Sequence, residues 1–418
     1  MTATPLRRNR DFLLLWSGQA LSVLGSRVSS VAYPLLVLEM TGSPSTAAFV
    51  GFAGTAPYLL LQLPAGALAD RYNRRRLMIA CDCVRALALL SVVVALVAGE
   101  LTVPQLMVVA FVEGSMFVAF SAAESSAVAH LVPPEQVAMA LSQNEARTRG
   151  AGMAGPPLGG ILFGIARSLP FLADAVSYLA SLASLLAIRR EFESASERPR
   201  DGLLREIRLG IRWLLGHPFL RDTALLVAGS NMLFEARILV LIVLAKEHGA
   251  SSGTVGLMLA GSGVGGVAGA AIAPWLQRRI SPRTVVIGAN WVWAALFPLF
   301  AVFDTPLALG VVLAACSFVG PAWNVVLGAY SLALVPDELR GRVSSVDLLI
   351  AFGAIPLGSL LAAGLLAALS PSGASAALAV LMLAVAIAAV AAPSVRHAPP
   401  LPGARHRHGS VTSAEQGA

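Results

Sequence analysis

The chain has 418 residues, of which 56% are hydrophobic and 13% are charged, and its mean hydropathy is +0.75. Soluble globular proteins carry roughly 25% charged residues, so this composition excludes an ordinary soluble domain and indicates a membrane protein. The formal net charge of +7 must therefore be interpreted in the context of a bilayer.

Twelve mainly apolar segments follow one another along the chain, and a helix of roughly 20 such residues crosses the hydrocarbon core. Turn-forming pieces such as "TGSPS", "AGELTVP" and "FDTP" separate them. A helical bundle is favoured over a barrel because short alternating strands are not visible. The predicted spans are 12–38, 46–69, 77–98, 103–127, 142–166, 169–188, 219–245, 252–276, 284–303, 307–334, 343–369 and 373–393.

Arginines are concentrated in alternate connecting segments. One set of segments contains clusters within 7–10, 71–76, 189–212, 278–283 and 340–342, whereas the opposite loops contain only Arg167 and Lys246. Because basic loops stay in the cytoplasm, both termini are predicted to be cytoplasmic. The net charge is thereby explained by topology, so no nucleic-acid partner is expected. The first apolar segment lacks a small-residue cleavage site and is predicted to be retained as a span.

The chain contains an internal duplication. The segment "LVPPEQVAMALSQNEARTRGAGMAGPPLGG" at 131–160 resembles "LVPDELRGRVSSVDLLIAFGAIPLGS" at 334–359, and each copy occupies the same place in its half. Parallel repeats of this kind occur in transporters whose two halves are related by an axis along the membrane normal. We therefore predict an all-α membrane protein with an N-terminal six-helix bundle (1–188), a cytoplasmic connector with an amphipathic helix (189–218), a C-terminal six-helix bundle (219–394) and a disordered cytoplasmic tail (395–418).

The stretch "GALADRYNRRRLM" at 66–78 resembles the loop signature G-x-L-A-D-R-x-x-R-[KR] of the Major Facilitator Superfamily. The first span of the chain and the connector ending "GIRWLLGHPFLRD" resemble the bacterial drug, macrolide and siderophore exporters of that family in particular. The resemblance implies a twelve-helix secondary transporter, and Asn73 stands where the family usually has glycine. The matching residues are Gly66, Leu68, Ala69, Asp70, Arg71, Arg74 and Arg75.

The fifth span contains "GPPLGG", which is similar to the core of the signature that this family associates with antiporters. The matching residues are Gly155, Pro156, Gly159 and Gly160, whereas Ala146 and Ala151 stand where the longer signature has glycines. The resemblance implies exchange of substrate against an ion.

The loop at 66–78 has a physical role that does not depend on the resemblance. Gly66 allows a close helix approach, and Asp70 lies one turn later, where it can face the start of the eleventh span. An acidic group at a helix N-terminus stabilises by about 0.3 to 2 kcal/mol, which suits a latch. We hypothesise that Asp70 and Arg74 hold a cytoplasmic gate shut, the alternative being that the arginines only anchor topology, which we favour for Arg76.

Coupling to an ion gradient requires a group that titrates inside the membrane. Charged residues at mid-bilayer cost roughly 2.5 to 3.5 kcal/mol, so each one is a functional candidate. Glu113, midway through the fourth span, is the first candidate, with Arg27 and Arg85 as partners. Glu235 and Arg237 in the seventh span are the second pair of candidates.

Other charged residues in the spans have simpler interpretations. Asp82 and Arg85 have the spacing of a structural ion pair. Asp174 and Glu39 lie near outer helix ends and are expected to be packing or interface residues. Glu145 and Arg149 are neighbours on one helix face, where gating and proton transfer are equally consistent with the pattern.

If the family arrangement applies, spans 1, 4, 7 and 10 line a substrate cavity. They would bring in Tyr33, Glu113, Asn231, Glu235, Trp323 and Asn324. A mostly apolar wall with a few polar groups suits an amphipathic organic molecule. The expected partners are this substrate and the lipid bilayer around a monomer, in the plasma membrane of a bacterium.

The sequence indicates a transporter and no enzyme. The histidines are scattered and the three cysteines form no metal-ligand pattern, so neither a cofactor nor a metal is expected. Lys246 is the only lysine and lies outside any P-loop, which leaves the proton gradient as the expected energy source. We expect export by proton antiport. An importer or uniporter of a small metabolite and a non-transporting membrane scaffold are the alternatives.

Overall fold

The computed structural model describes residues 6–189, 203–336 and 339–398, and every regular element within these ranges is a helix. The helices are α1 (Arg10–Thr41), α2 (Pro44–Leu60), α3 (Gln62–Arg71), α4 (Arg74–Ala98), α5 (Val103–Leu131), α6 (Val137–Ile165), α7 (Leu169–Ala187), α8 (Leu203–Leu215), α9 (Pro218–Glu247), α10 (Ser252–Arg279), α11 (Pro282–Leu296), α12 (Leu299–Val302), α13 (Pro306–Leu334), α14 (Arg340–Gly353), α15 (Ile355–Ala368), α16 (Pro371–Ala391) and α17 (Pro393–Arg396).

The turn-forming pieces of the sequence become helix caps. The side chains of Ser43 and Thr102 each accept a hydrogen bond from a first-turn amide of the helix that follows, and a proline begins α2. At the other ends, Gly42 and Gly99 adopt the left-handed conformation, with φ of 64° and 74°. These caps explain why the predicted span boundaries lie within a few residues of the observed helix ends.

Helices that can cross a membrane dominate the described chain, and the predicted all-α membrane fold is confirmed. Ten helices or helix pairs are long and apolar enough, and an eleventh is obtained when α2 and α3, which meet at 56°, are taken as one span. The remaining unit of the predicted twelve is α6, which has 29 residues. The helix is long enough to cross a membrane. Its first half contains the polar run "SQNEARTRG", however, so its mean hydropathy is too low for it to count as a candidate span.

The long helices pack mainly within each half of the sequence. In the first half, α1 packs against α6 and α7, and α4 packs against α5 and α7. In the second half, α9 packs against α15 and α16, and α13 packs against α10 and α11. The two halves meet where α6 packs against α10 and where α2 packs against α15. These contacts enclose a space between the halves.

The connector and the C-terminal end are partly described. The predicted amphipathic helix is present as α8, which packs against α14 through Gly210 and buries Leu214. Residues 190–202 of the connector and 399–418 of the predicted tail lie outside the described residues. Val395 is fully buried within α17, so the folded chain continues past residue 394, the predicted end of the second bundle.

Candidate functional site

The central cavity lies between the two halves and has a volume of about 430 Å³. Helices α1, α2, α4, α5, α6 and α7 line it from the first half, and α9 and α15 line it from the second. Its wall combines aromatic rings with charged groups. The aromatic residues are Tyr33, Tyr58, Phe117, Phe120 and Tyr178, and the charged residues are Arg27, Arg85, Glu113, Glu124, Arg147 and Glu235.

Glu113 is the centre of a hydrogen-bonded network that joins four helices. The hydroxyl of Tyr33, from α1, donates to one carboxylate oxygen of Glu113. The hydroxyl of Tyr178, from α7, donates to the other oxygen at 3.1 Å. Arg85, from α4, donates to the same Tyr178 hydroxyl at 2.6 Å. The predicted link between Glu113 and Arg85 is therefore indirect, since Tyr178 lies between the carboxylate and the guanidinium group.

Arg85 is itself buried and held by several groups. Its guanidinium carbon lies 3.9 Å from the centre of the Tyr178 ring, and its Nη2 donates to Ser26 Oγ at 3.2 Å. The expected pair with Asp82 is present at 3.8 Å, between Arg85 Nη1 and Asp82 Oδ1. The arginine is thus fixed in position by a ring, a hydroxyl and a carboxylate while its charge faces the Glu113 network.

Asp174 lies beside this network, fully buried between α1 and α7. Ser29 Oγ donates to its Oδ2 at 2.5 Å, and Ser177 Oγ donates to its Oδ1 at 3.2 Å. No basic side chain forms an ion pair with Asp174 among the residues that the structure describes. The packing role expected from the sequence fits these contacts, but a carboxyl held only by hydroxyl groups is also able to carry a proton.

Arg27 and Glu235 occupy comparable positions in the two halves. A Cβ on Gly155 of α6 would lie 3.2 Å from the Cα of Arg27 on α1, and a Cβ on Gly358 of α15 would lie 2.8 Å from the Cβ of Glu235 on α9. Both charged side chains line the central cavity and interact electrostatically. Arg27, predicted as a partner of Glu113, therefore lies within electrostatic range of the acid of the opposite half, and no ion pair joins it to Glu113 among the described residues.

The antiporter-like stretch of α6 forms close contacts in both directions. Gly155 and Gly159 lie against the backbone of α1 at Arg27 and Val28, and Gly160 lies against the backbone of α10 at Ser252. Pro156 is buried and packs against Gly256 of α10. Glycine allows these backbone approaches because it has no Cβ. The motif therefore joins the two halves of the molecule.

Sequence reasoning missed one ion pair in the cavity wall. Arg147 of α6 donates to Glu124 of α5 at 2.9 Å, and both side chains are largely buried. The sequence contained a signal for this pair. The two residues lie at similar distances from the loop that connects α5 and α6, so antiparallel packing of these helices brings them to the same level. Nearby, Arg149 pairs with Glu145 at 2.5 Å and donates to Gly266 of α10 at 3.4 Å, so this side chain links the halves.

Two second-half candidates, Arg237 and Trp323, lie outside the cavity wall, whereas Glu235 lines it. Arg237 points away from Glu235 into the interior of the second half, where the rings of Phe234, Phe297 and Phe300 lie 5.1 to 5.6 Å from its guanidinium carbon. Trp323 is 2% exposed and packs on another tryptophan ring.

Two asparagines complete the set of predicted cavity residues. Asn231 donates to the carbonyl of Ala351 at 2.9 Å, and Asn324 is exposed. Of the six residues predicted from the cavity spans, Tyr33, Glu113 and Glu235 line this cavity. The expectation for Asn231, Trp323 and Asn324 is wrong here because the rotation of each helix about its axis turns these side chains elsewhere.

The loop between α3 and α4 has a mixed outcome. Nothing lies within 4 Å of a Cβ built on Gly66, so the close helix approach predicted there is wrong. The reason is the bend of 56° between α2 and α3, which changes the direction of the chain just before this glycine. Arg71 is exposed, and the side chain of Asp70 lies outside the described residues. Arg74 Nη1 lies 3.3 Å from His130 Nε2, and Arg75 donates to the carbonyls of Leu185 and Leu186, both at 2.8 Å.

This arrangement defines a class of protein. A bundle of membrane-spanning helices in two similar halves surrounds a cavity with buried charged groups, and this is the architecture of a secondary transporter. A family profile described as transmembrane secretion effector matches residues 1–404. The chain belongs to this family of Major Facilitator Superfamily transporters, so the resemblance inferred from the sequence is confirmed and the protein is a transporter, not an enzyme.

Curated relatives agree with this membership, and solved structures share the fold. The chain is 28% identical to the multidrug efflux pump Tap of Mycolicibacterium fortuitum over 354 residues, which cover 82% of this chain and 85% of Tap. It is 31% identical to macrolide efflux protein A of Streptococcus pyogenes over 125 residues, covering 30% of this chain and 31% of that protein. The fold resembles the nucleoside transporter NupG with a TM-score of 0.74 at 12% identity, covering 92% of this chain and 99% of NupG.

Proposed function

We propose that this protein exports amphipathic small molecules of the drug, macrolide or siderophore type in exchange for protons. The observation that carries the proposal is the Glu113 network, which puts one carboxyl in contact with both the cavity and three other helices. The names of its relatives, a multidrug efflux pump and a macrolide efflux protein, support the direction and the kind of substrate. Aromatic rings in the cavity wall provide the apolar surface that such molecules require.

Protonation of Glu113 changes the hydrogen bonds of the network. An ionised carboxylate accepts from both tyrosine hydroxyls, whereas the protonated acid carries a donor and accepts less well. The positive charge of Arg85 then loses the counter-charge across Tyr178 and keeps that of Asp82. Because the four groups belong to α1, α4, α5 and α7, one proton alters the packing of four helices. This is the coupling that alternating access requires, because a ligand shifts a two-state equilibrium by its differential affinity for the two states.

A latch near the loop between α3 and α4 completes the proposed cycle. We propose that Asp70 holds the start of α14 while the gate at that end is closed, with Arg74 fixing the start of α4. Contacts between α3 and α14 support this assignment. The distribution of arginines supports a plasma-membrane orientation with both termini in the cytoplasm. Unchanged transport by Asp70→Asn at normal abundance would remove the latch.

The proposal is tested with the purified full-length protein in liposomes, with substrate and proton fluxes measured together. An imposed proton gradient is expected to drive accumulation of a hydrophobic macrolide on the side opposite to the cytoplasmic face. Glu113→Gln is expected to lower gradient-driven transport at least about tenfold while leaving substrate binding within about threefold, because the cavity wall remains. Glu100→Gln removes an exposed carboxyl from the loop between α4 and α5 and serves as the matched control.

Three outcomes would contradict the proposal. Substrate flux without proton flux would exclude antiport. Proton-driven accumulation on the cytoplasmic side would reverse the direction. Equal losses in Glu113→Gln and Glu100→Gln would remove Glu113 from the coupling step.

A further inference from the structure

A second cavity lies away from the central one, in the first half of the molecule. It has a volume of about 590 Å³ and forms where the start of α1, the end of α5 and the segment after α7 converge. Arg8, Arg10 and Arg189 line it, and we call it the basic pocket. All three arginines are exposed. Asp11 lines the pocket as well, but among the described residues no ion pair joins it to any of the three guanidinium groups.

Other side chains hold the walls of the basic pocket together. Asn9 Nδ2 donates to the carbonyl of Leu131 at 2.8 Å, which ties the start of α1 to the end of α5. Arg75 ties the start of α4 to the last carbonyls of α7, and Arg74 contacts His130 near the end of α5. The three arginines of the pocket take no part in these bonds. Their charges face an open cavity whose walls are already fixed.

The chemistry of the pocket selects an anion with several oxygens. A guanidinium group presents a planar fork of donors that matches the oxygens of a phosphate group. Three such forks with one carboxylate leave a net formal charge of +2 in the pocket, since three positive charges face one negative charge. The volume falls within the range of about 300 to 1,000 Å³ found for small-molecule sites.

The position of the pocket at the helix ends favours a lipid as the source of the phosphate. Its walls lie at the ends of three helices that are long and apolar enough to cross a membrane, and the head groups of a bilayer would lie at such helix ends. Basic pockets between helix ends at this level bind anionic phospholipid head groups. We propose that the basic pocket binds the phosphate of an anionic phospholipid such as phosphatidylglycerol. Lipid binding there connects the ends of α1, α5 and α7 and stabilises the first half, independently of the transport cycle proposed above.

Native mass spectrometry of the purified full-length protein tests the proposal with phosphatidylglycerol and phosphatidylcholine as probes. The triple variant Arg8→Gln, Arg10→Gln and Arg189→Gln is expected to lose at least about tenfold in affinity for phosphatidylglycerol, with no change for phosphatidylcholine. The matched control is Arg76→Gln, Arg212→Gln and Arg283→Gln, which removes the same charge from exposed arginines outside the pocket. Equal losses in both triple variants would reduce the effect to general surface charge and overturn the proposal.

A soluble phosphate compound is the other source of the same chemistry. Glycerol 3-phosphate and inorganic phosphate are added to the wild-type protein with bound phosphatidylglycerol. We expect the lipid to stay bound at millimolar concentrations of either compound. Displacement by either compound at these concentrations would show that the pocket binds free phosphates and would overturn the assignment to lipid.

Photo-crosslinking of the wild-type protein tests the proposal without the triple variant, in case that variant fails to fold. Phosphatidylglycerol with a photoreactive head group is expected to label the peptide containing Leu131 to Pro133, which forms one wall of the pocket. Labelling spread evenly around the bundle would overturn the proposal.

Discussion

The two halves of the molecule build the central cavity with the same packing but different chemistry. In each half, a glycine lets one helix approach another at a charged residue, Gly155 at Arg27 and Gly358 at Glu235. The first half adds the four-helix network of Glu113 beside this contact. The second half adds only apolar cavity residues and Ser359, which hydrogen-bonds to Glu235 at 3.5 Å. Duplication has therefore kept the close helix contacts while the ionisable chemistry is concentrated in one half.

A buried arginine in each half extends this contrast. Arg85 and Arg237 are 4% and 7% exposed, and both lie against aromatic rings. Arg85 is joined through Tyr178 to Glu113. Arg237 has no carboxylate in ion-pair contact within the described ranges, and its Nε and Nη1 have no hydrogen-bond partner there. The surroundings, more than the residue type, distinguish Arg85, proposed to act in coupling, from Arg237, which packs against aromatic rings.

The largest expected difference comes from replacing each arginine with methionine. Arg85→Met leaves carboxyl groups without their buried counter-charge, and removing one partner from such an arrangement costs about 3 to 5 kcal/mol. Arg237→Met exchanges a guanidinium group with unpaired nitrogens for an apolar chain, which is expected to be neutral or to stabilise by about 1 to 4 kcal/mol. Thermal unfolding in detergent and macrolide transport in liposomes measure both effects.

Transport separates the two arginines further. Arg85→Met is expected to abolish proton-driven transport, and Arg237→Met to retain at least about half of it. Equal transport losses at equal protein abundance would mean that Arg237 has a function which its contacts do not explain.

The shared packing is tested by enlarging the two glycines. Gly155→Val and Gly358→Val would each force a side chain into a neighbouring helix, and overpacking costs typically about 1 to 3 kcal/mol. Both variants are expected to unfold at lower temperature than the wild type by similar amounts. Gly152→Val and Gly364→Val serve as controls in the same helices, since nothing lies within 4 Å of a Cβ at either position. A loss confined to one half would break the symmetry of the packing.

The opposite charges of Arg27 and Glu235 provide a test across the halves. Arg27→Glu places two carboxyls on facing walls of the cavity, and we expect transport to fall about tenfold, equivalent to about 1.4 kcal/mol. Adding Glu235→Arg restores opposite charges in the cavity wall and should recover part of the loss, because the two charged groups interact electrostatically across the cavity. Transport of the two single variants and the double variant forms the cycle. Additive effects would show that the two charges act separately.

The sequence is informative about elements and less informative about contacts between them. The spans were predictable because serine, threonine, proline and glycine mark the helix ends, and the polar half of α6 did not prevent its assignment. The position of Glu113 in the cavity wall was predictable, because a lone carboxyl in the middle of a span costs free energy unless it faces a cavity or a partner. The role of Tyr178 between Glu113 and Arg85 was not predictable. Tyrosines are common in spans, and the direction in which this side chain points depends on how α7 packs against its neighbours. The same dependence on helix packing explains why Trp323 lies in the second-half interior.

The smallest expected effect is at the ion pair between Arg167 and Glu39, on the side of the molecule away from the arginine clusters. Arg167 Nε lies 2.7 Å from Glu39 Oε2, and it joins the loop after α6 to the end of α1. Because the arginine side chain is 62% exposed, the pair is expected to contribute less than about 1 kcal/mol. A double-mutant cycle with Arg167→Gln and Glu39→Gln, followed by thermal unfolding at low and high salt, measures the coupling. Water and salt screen an exposed ion pair but screen a buried one much less. A stability loss as large as that expected for the buried Arg85 would therefore mean that solvent exposure does not decide how much a charged residue contributes in this molecule.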